Sequence, residues 1–65
     1  MTNQEPPLTD YWPYHTFPEF DEGITAYMER QYRNPYTEPR QRLAAQAWDS
    51  GLKYAIRVMR HARGQ

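Results

Sequence analysis

The stretch from Arg33 to Arg42 holds three arginines, at 33, 40 and 42, beside tyrosines at 32 and 36 and bracketed by Pro35 and Pro39. Guanidinium forks make flat, bidentate contacts to phosphate, and tyrosine rings stack on exposed bases. Looped or single-stranded RNA is the ligand that such a mixture suits. Arg57 and Arg60 lie further along and extend the same chemistry, so the candidate RNA-facing set is Arg33, Tyr36, Arg40, Arg42, Arg57 and Arg60. A plainer reading stays open beside it, in which Tyr36 folds back as a cap over a helical core and the arginines are only solvated.

Other chemistry finds little support. There is no cysteine, and the two histidines, His15 and His61, are far apart and lack ligand-like neighbours, so neither a metal nor a cofactor is expected. A glycine-rich phosphate loop with its lysine is absent. Asp21 and Glu22 suit the start of a helix, where negative charge meets the positive end of the macrodipole, and His61 with Arg60 and Arg63 suits the opposite end. Asp49 reads as a solvated helix residue, Ser50 has no base beside it, and His15 reads as a surface residue. The chain is expected not to be an enzyme.

The elements that must position these residues are helical. Residues 1–17 carry Pro6, Pro7 and Pro13 among Tyr11, Trp12, Tyr14 and Phe17, which excludes a regular helix or a central strand. This is an extended arm. Tails without structure are poor in aromatics, so Tyr11, Trp12, Tyr14 and Phe17 lie against something, either the chain's own helices or a protein partner. Thr16-Phe17-Pro18-Glu19 has the spacing of a capping box, and Phe20, Ile24, Tyr27, Met28 and Gln31 follow at helical intervals. The first helix is therefore expected over about 17–33, ending before Pro35 because the residue preceding a proline is pushed out of the helical region. A second helix, about 38–63, starts around Thr37-Glu38-Pro39 and ends at Gly64. Its stripe is wide, with small residues at 44, 47, 51 and 55 that let another helix approach closely. At 1.5 Å per residue it is about 38 Å long, more than the first helix can cover. The expected fold is all-α: one small domain over 1–65, with a two-helix hairpin (18–63) turned by an Asn34-Pro35-Tyr36 elbow.

FDEGITAYMER and WDSGLKYAIRVMR resemble each other, each with an aromatic residue three positions before a glycine. The match is too brief to count as a repeat and is expected to be a coincidence of one short pattern.

A chain of 65 residues buries only about 60% of its unfolded surface, and small scaffolds usually need a further support. Without cysteine or metal, that support is a partner or a second copy, and a homodimer through the second helix stays open. The formal charge is zero but segregated: six acids and no base up to Glu29, then eight bases against two acids. Such polarity speaks about partners, or about halves that neutralise each other. No apolar run reaches the roughly 18 residues of a membrane span, and MTNQEPPLTD lacks the regions of a signal peptide, so a cytoplasmic protein is expected.

Gly23, Arg33, Asn34-Pro35-Tyr36, Arg42, Trp48-Asp49-Ser50-Gly51 and Ala55 together resemble the pattern of the ribosome modulation factor family. These are very small two-helix proteins that include phage and plasmid members. The resemblance covers roughly 19–58. It implies two helices joined by the elbow, structural roles for Gly23, Pro35, Trp48 and Gly51, and binding to RNA of the small ribosomal subunit through Arg33, Tyr36, Arg40 and Arg42. Asn34 stands where the family has cysteine, Leu52 where it has tryptophan, and the acidic arm contrasts with a basic family N-terminus. One relative in the broad group is described as a drug-modifying phosphotransferase, a chemistry for which the residues here give no motif. The second reading is a small inhibitor or adaptor, of mobile-element type, that binds a host protein through the acidic aromatic arm and the apolar face of the second helix.

Overall fold

The computed structural model describes residues 7–63, and within them the regular structure is helical. Two α-helices, α1 (Pro18–Met28) and α2 (Arg42–Ala62), are accompanied by short 3-10 turns at Leu8–Tyr11, Tyr14–Thr16 and Pro39–Gln41. Gly64, expected to end the second helix, lies outside the described residues, as do arm residues 1–6. No helix among the described residues is long and apolar enough to cross a membrane.

Pro18 starts α1 from the first helical position, where its fixed φ fits and its missing N–H costs no hydrogen bond. The expected capping box does not form. Phe17, not Thr16, is the N-cap and makes no side-chain cap bond. Thr16 Oγ1 instead donates to the Pro13 carbonyl at 2.7 Å, closing the arm's own turn. At its other end α1 stops at Met28, well before Arg33. Gln31 N–H bonds the Ala26 carbonyl (2.8 Å) and Arg30 N–H bonds that of Tyr27 (3.0 Å), with Arg30 at a φ of 60°. This is the Schellman arrangement, built here with arginine in the left-handed position that glycine normally takes.

The start of α2 is tighter than a plain α-turn. Glu38 N–H donates to Gln41 Oε1 at 3.3 Å and Gln41 N–H to the Glu38 carbonyl at 2.9 Å, holding Pro39–Gln41 as a 3-10 turn before the α-helix proper. The helix that follows is 21 residues long.

The two helices meet at their glycines. A methyl group on Gly23 would fall 2.1 Å from the Trp48 carbonyl oxygen, and one on Gly51 would fall 1.9 Å from that of Phe20. The likeness between the two segments thus has a packing reason: in each helix the aromatic residue lays its own carbonyl on the glycine of the other. Phe20, Ala47, Trp48 and Ala55 close the small core around this contact, each at most 5% exposed. Beyond the crossing, Ile24 and Met28 share a groove with Ala55, Val58 and Met59, so the C-terminal halves of both helices leave it on the same side.

The arm folds onto this crossing. Tyr11 packs edge-on against Phe20 (ring centroids 5.9 Å apart) and Tyr54 (5.5 Å), and Phe20 and Tyr54 complete a trio at 5.7 Å. Tyr14 meets the Phe17 ring, and its hydroxyl donates to Gln46 Oε1. These aromatic faces enlarge a core that two short helices alone leave marginal.

Candidate nucleic-acid interface

With 3.6 residues per turn, positions 42, 49, 53, 57 and 60 of α2 fall within an arc of roughly 80°. Arg42, Asp49, Lys53, Arg57 and Arg60 are all exposed there. Between Arg42 and Arg60 the stripe runs about 27 Å along the helix. Among the described residues Arg42, Lys53 and Arg60 form no ion pair. Lys53 did not stand out in the sequence as a contact residue; its four-residue spacing from Asp49 and Arg57 is the signal that places it on the stripe.

Arg57 is held by the arm. Its Nη1 donates to the Tyr11 hydroxyl at 2.9 Å and lies 3.5 Å from Asp10 Oδ2, while its guanidinium carbon sits 5.7 Å from the Tyr11 ring centroid. The Tyr11 hydroxyl, and to a lesser degree the Asp10 carboxylate, hold the Arg57 guanidinium above its already high ordinary value.

Asn34 staples the connection between the helices to α2. Its Nδ2 donates to the Ala45 carbonyl (2.9 Å) and to Asp49 Oδ1 (3.0 Å), and its Oδ1 accepts the Tyr36 N–H at 2.8 Å. The last bond spans two residues, the Asx turn that asparagine before proline favours. Asp49, the one acid on the basic stripe, is thereby engaged.

The elbow residues expected to form one basic-aromatic patch are dispersed among acids. The half-buried Tyr36 donates its hydroxyl to the Glu22 carboxylate, and this bond, with Glu22 and Glu19 nearby, pushes the phenol up to about 12. Arg33 lines a cleft of about 380 Å³ with Asp21 and Glu22 of α1, Glu29 just past its end, and Trp48. Arg40 Nε lies 3.4 Å from Glu38 Oε1, a well-exposed pair of small energetic weight. Of the expected elbow set, Arg42 alone stands on the α2 stripe.

The expected protein-binding residues also separate. Tyr11, Tyr14 and Phe17 are turned onto the chain's own side chains, whereas Trp12 is 72% exposed. Gly23, Trp48 and Gly51 are buried at the crossing and Pro35 is exposed. His15 and His61 each hold one ring nitrogen, Nδ1 and Nε2 respectively, shut away from solvent and without a hydrogen-bond partner among the described residues, so His15 is not the plain surface residue expected, while His61 does stand in the last turn of α2. No group of three or more potential metal ligands occurs among the described residues.

No family model matches the chain, and no curated protein or solved structure is similar enough to it to count as a relative.

Proposed function

We propose that this is a non-catalytic, cytoplasmic binding protein that attaches to structured RNA, with ribosomal RNA of the small subunit as its target, through the outward face of α2. The observation that carries the reading is the stripe itself: Arg42, Lys53 and Arg60 stand exposed on the longest helix with no ion pair among the described residues, while the exposed acids Asp21 and Glu22 belong to α1 and Glu29 caps its end. Cations spaced along a straight rod follow a phosphate backbone, and the counterions they displace drive binding. The resemblance to ribosome modulation factors points the same way, and two crossed helices joined through Asn34-Pro35-Tyr36 are the scaffold on which the stripe rests. Asn34 and Tyr36 then act as braces that hold the connection against both helices, and Arg33 and Arg40 take a minor part. The alternative as a host-protein adaptor retains Trp12 as its exposed aromatic anchor.

The test is co-sedimentation with ribosomes and separated subunits at low and moderate salt. The wild type is expected to travel with one subunit, a variant carrying Arg42→Ala, Lys53→Ala and Arg60→Ala to remain in the supernatant, and an Arg33→Ala, Arg40→Ala variant to keep most of its binding. With an RNA fragment in place of ribosomes, losing three contacts lowers the slope of log K against log salt by about 2. Absence of wild-type binding at both salts rejects the proposal.

A further inference from the structure

Past the glycine crossing, the C-terminal halves of the helices leave a groove between them. Ile24, Met28, Tyr54, Ala55, Val58 and Met59 line a narrow apolar cavity of about 130 Å³. Met28 and Met59 also line an adjoining, wider one of about 450 Å³, together with Tyr27, Arg30, Tyr32 and Arg63. The two cavities share Met28 and Met59 and so make one trough, with Arg30 and Arg63 lining its wider part. Met28 is 64% exposed and Tyr32 56%, so the trough has apolar surface open to solvent.

The same molecule carries an apolar knob. Trp12 is 72% exposed, although the tyrosine before it is anchored on Phe20, Tyr54 and Arg57. That anchoring presents the indole outward from a fixed base, and Leu8, 43% exposed, accompanies it in the preceding turn. Asp10 and Glu19 lie to either side of Trp12 in the chain.

We propose that the trough receives Trp12 of a second copy of this chain, making self-association a property of the protein independent of its RNA contacts. Three features fit knob to trough. Methionine side chains are unbranched and polarisable, and they adapt to an aromatic ring while contacting it favourably through sulfur. Arg30 in the trough's wider part is opposite in charge to Glu19, the acid that follows Trp12 in the chain, Asp10 before it being already engaged by Arg57. The core is also small, with five apolar side chains buried among the described residues, so covering Trp12 and Met28 adds apolar burial that the monomer lacks. Because each copy carries both parts, the contact either closes as a two-fold pair or propagates head to tail.

Sedimentation velocity over a wide range of concentration tests this, using wild type, Trp12→Ala, Met28→Lys and an equimolar mixture of the two variants, with circular dichroism to establish that all are folded. Both substituted positions are exposed, so the folds are expected to survive. The wild type should show a sedimentation coefficient that rises with concentration, and each variant alone should lose that rise. The mixture should regain a one-to-one complex, since one variant retains the trough and the other the knob. A wild type that stays monomeric at every concentration, a Trp12→Ala chain that associates like wild type, or a mixture that fails to regain the complex each overturns the proposal. The first of these outcomes leaves the trough to a different protein partner. RNA is absent throughout, so the result stands apart from the ribosome experiment.

Discussion

Arg30 and Tyr36 each show how a single side chain is held in a state its type does not favour alone. Arg30 occupies the left-handed region at φ 60°, where an L side chain is strained by roughly 1 kcal/mol and glycine is not. Arg30→Gly is therefore expected to raise stability by up to about 1 kcal/mol, less the entropy that glycine adds to the unfolded chain, as read from urea denaturation. A loss of stability would mean that the arginine side chain contributes more than its backbone costs. Tyr36 is held protonated by its bond to Glu22, with the phenol pushed up to about 12. A group whose folded value is raised binds its proton more tightly when folded. Its contribution is complete below the ordinary tyrosine value of about 10 and is lost as pH climbs from there to about 12. Tyr36→Phe removes that contribution, so the urea midpoints of wild type and variant should converge across this window while staying apart below it. Parallel curves would show that the Tyr36–Glu22 bond carries no proton linkage.

The helices depend on backbone meeting backbone, and their glycines are the least replaceable positions. Gly51→Ala drives a methyl group against the Phe20 carbonyl at 1.9 Å, and Gly23→Ala does the same at the Trp48 carbonyl at 2.1 Å. Neither obstacle is a side chain that can swing away, so the helices must separate and the small core opens with them. Either change is expected to cost about 3 kcal/mol or more, enough to abolish a cooperative thermal transition in a chain this small. The exposed Thr25→Ala should melt close to wild type. Much of this level was legible in the residues: Pro18 marked the start of α1, and the small positions 47, 51 and 55 marked the close face of α2. The end of α1 was hidden because its Schellman turn uses arginine rather than glycine, leaving only Pro35 as a stop signal. The site was less legible than the fold. Tyr36 reaches Glu22 and Tyr11 reaches Arg57 across distances in sequence that no local pattern reports, and those contacts turn ring and cation away from the solvent-facing roles that composition suggests.

At the scale of the whole molecule, the acidic segment and the basic helix are set against each other by one contact whose consequence is measurable. The arm lays Tyr11 and Asp10 on Arg57, so one cation of the α2 stripe is satisfied within the chain while Arg42, Lys53 and Arg60 have no ion pair among the described residues. If the stripe binds phosphate, Arg57 is a contact held in reserve by its own N-terminal arm. Asp10→Asn combined with Tyr11→Phe removes the carboxylate and the hydroxyl but keeps the ring that packs on Phe20 and Tyr54, so the aromatic trio is retained. The double variant is expected to bind an RNA fragment more tightly at low salt, and its log K against log salt to be steeper by about 0.7, the increment of one further phosphate contact on a single strand. Adding Arg57→Ala to it should return the slope to the wild-type value. An unchanged slope in the double variant would place Arg57 outside the interface and confine the RNA-binding surface to Arg42, Lys53 and Arg60, leaving the arm a purely structural cover for the helix crossing.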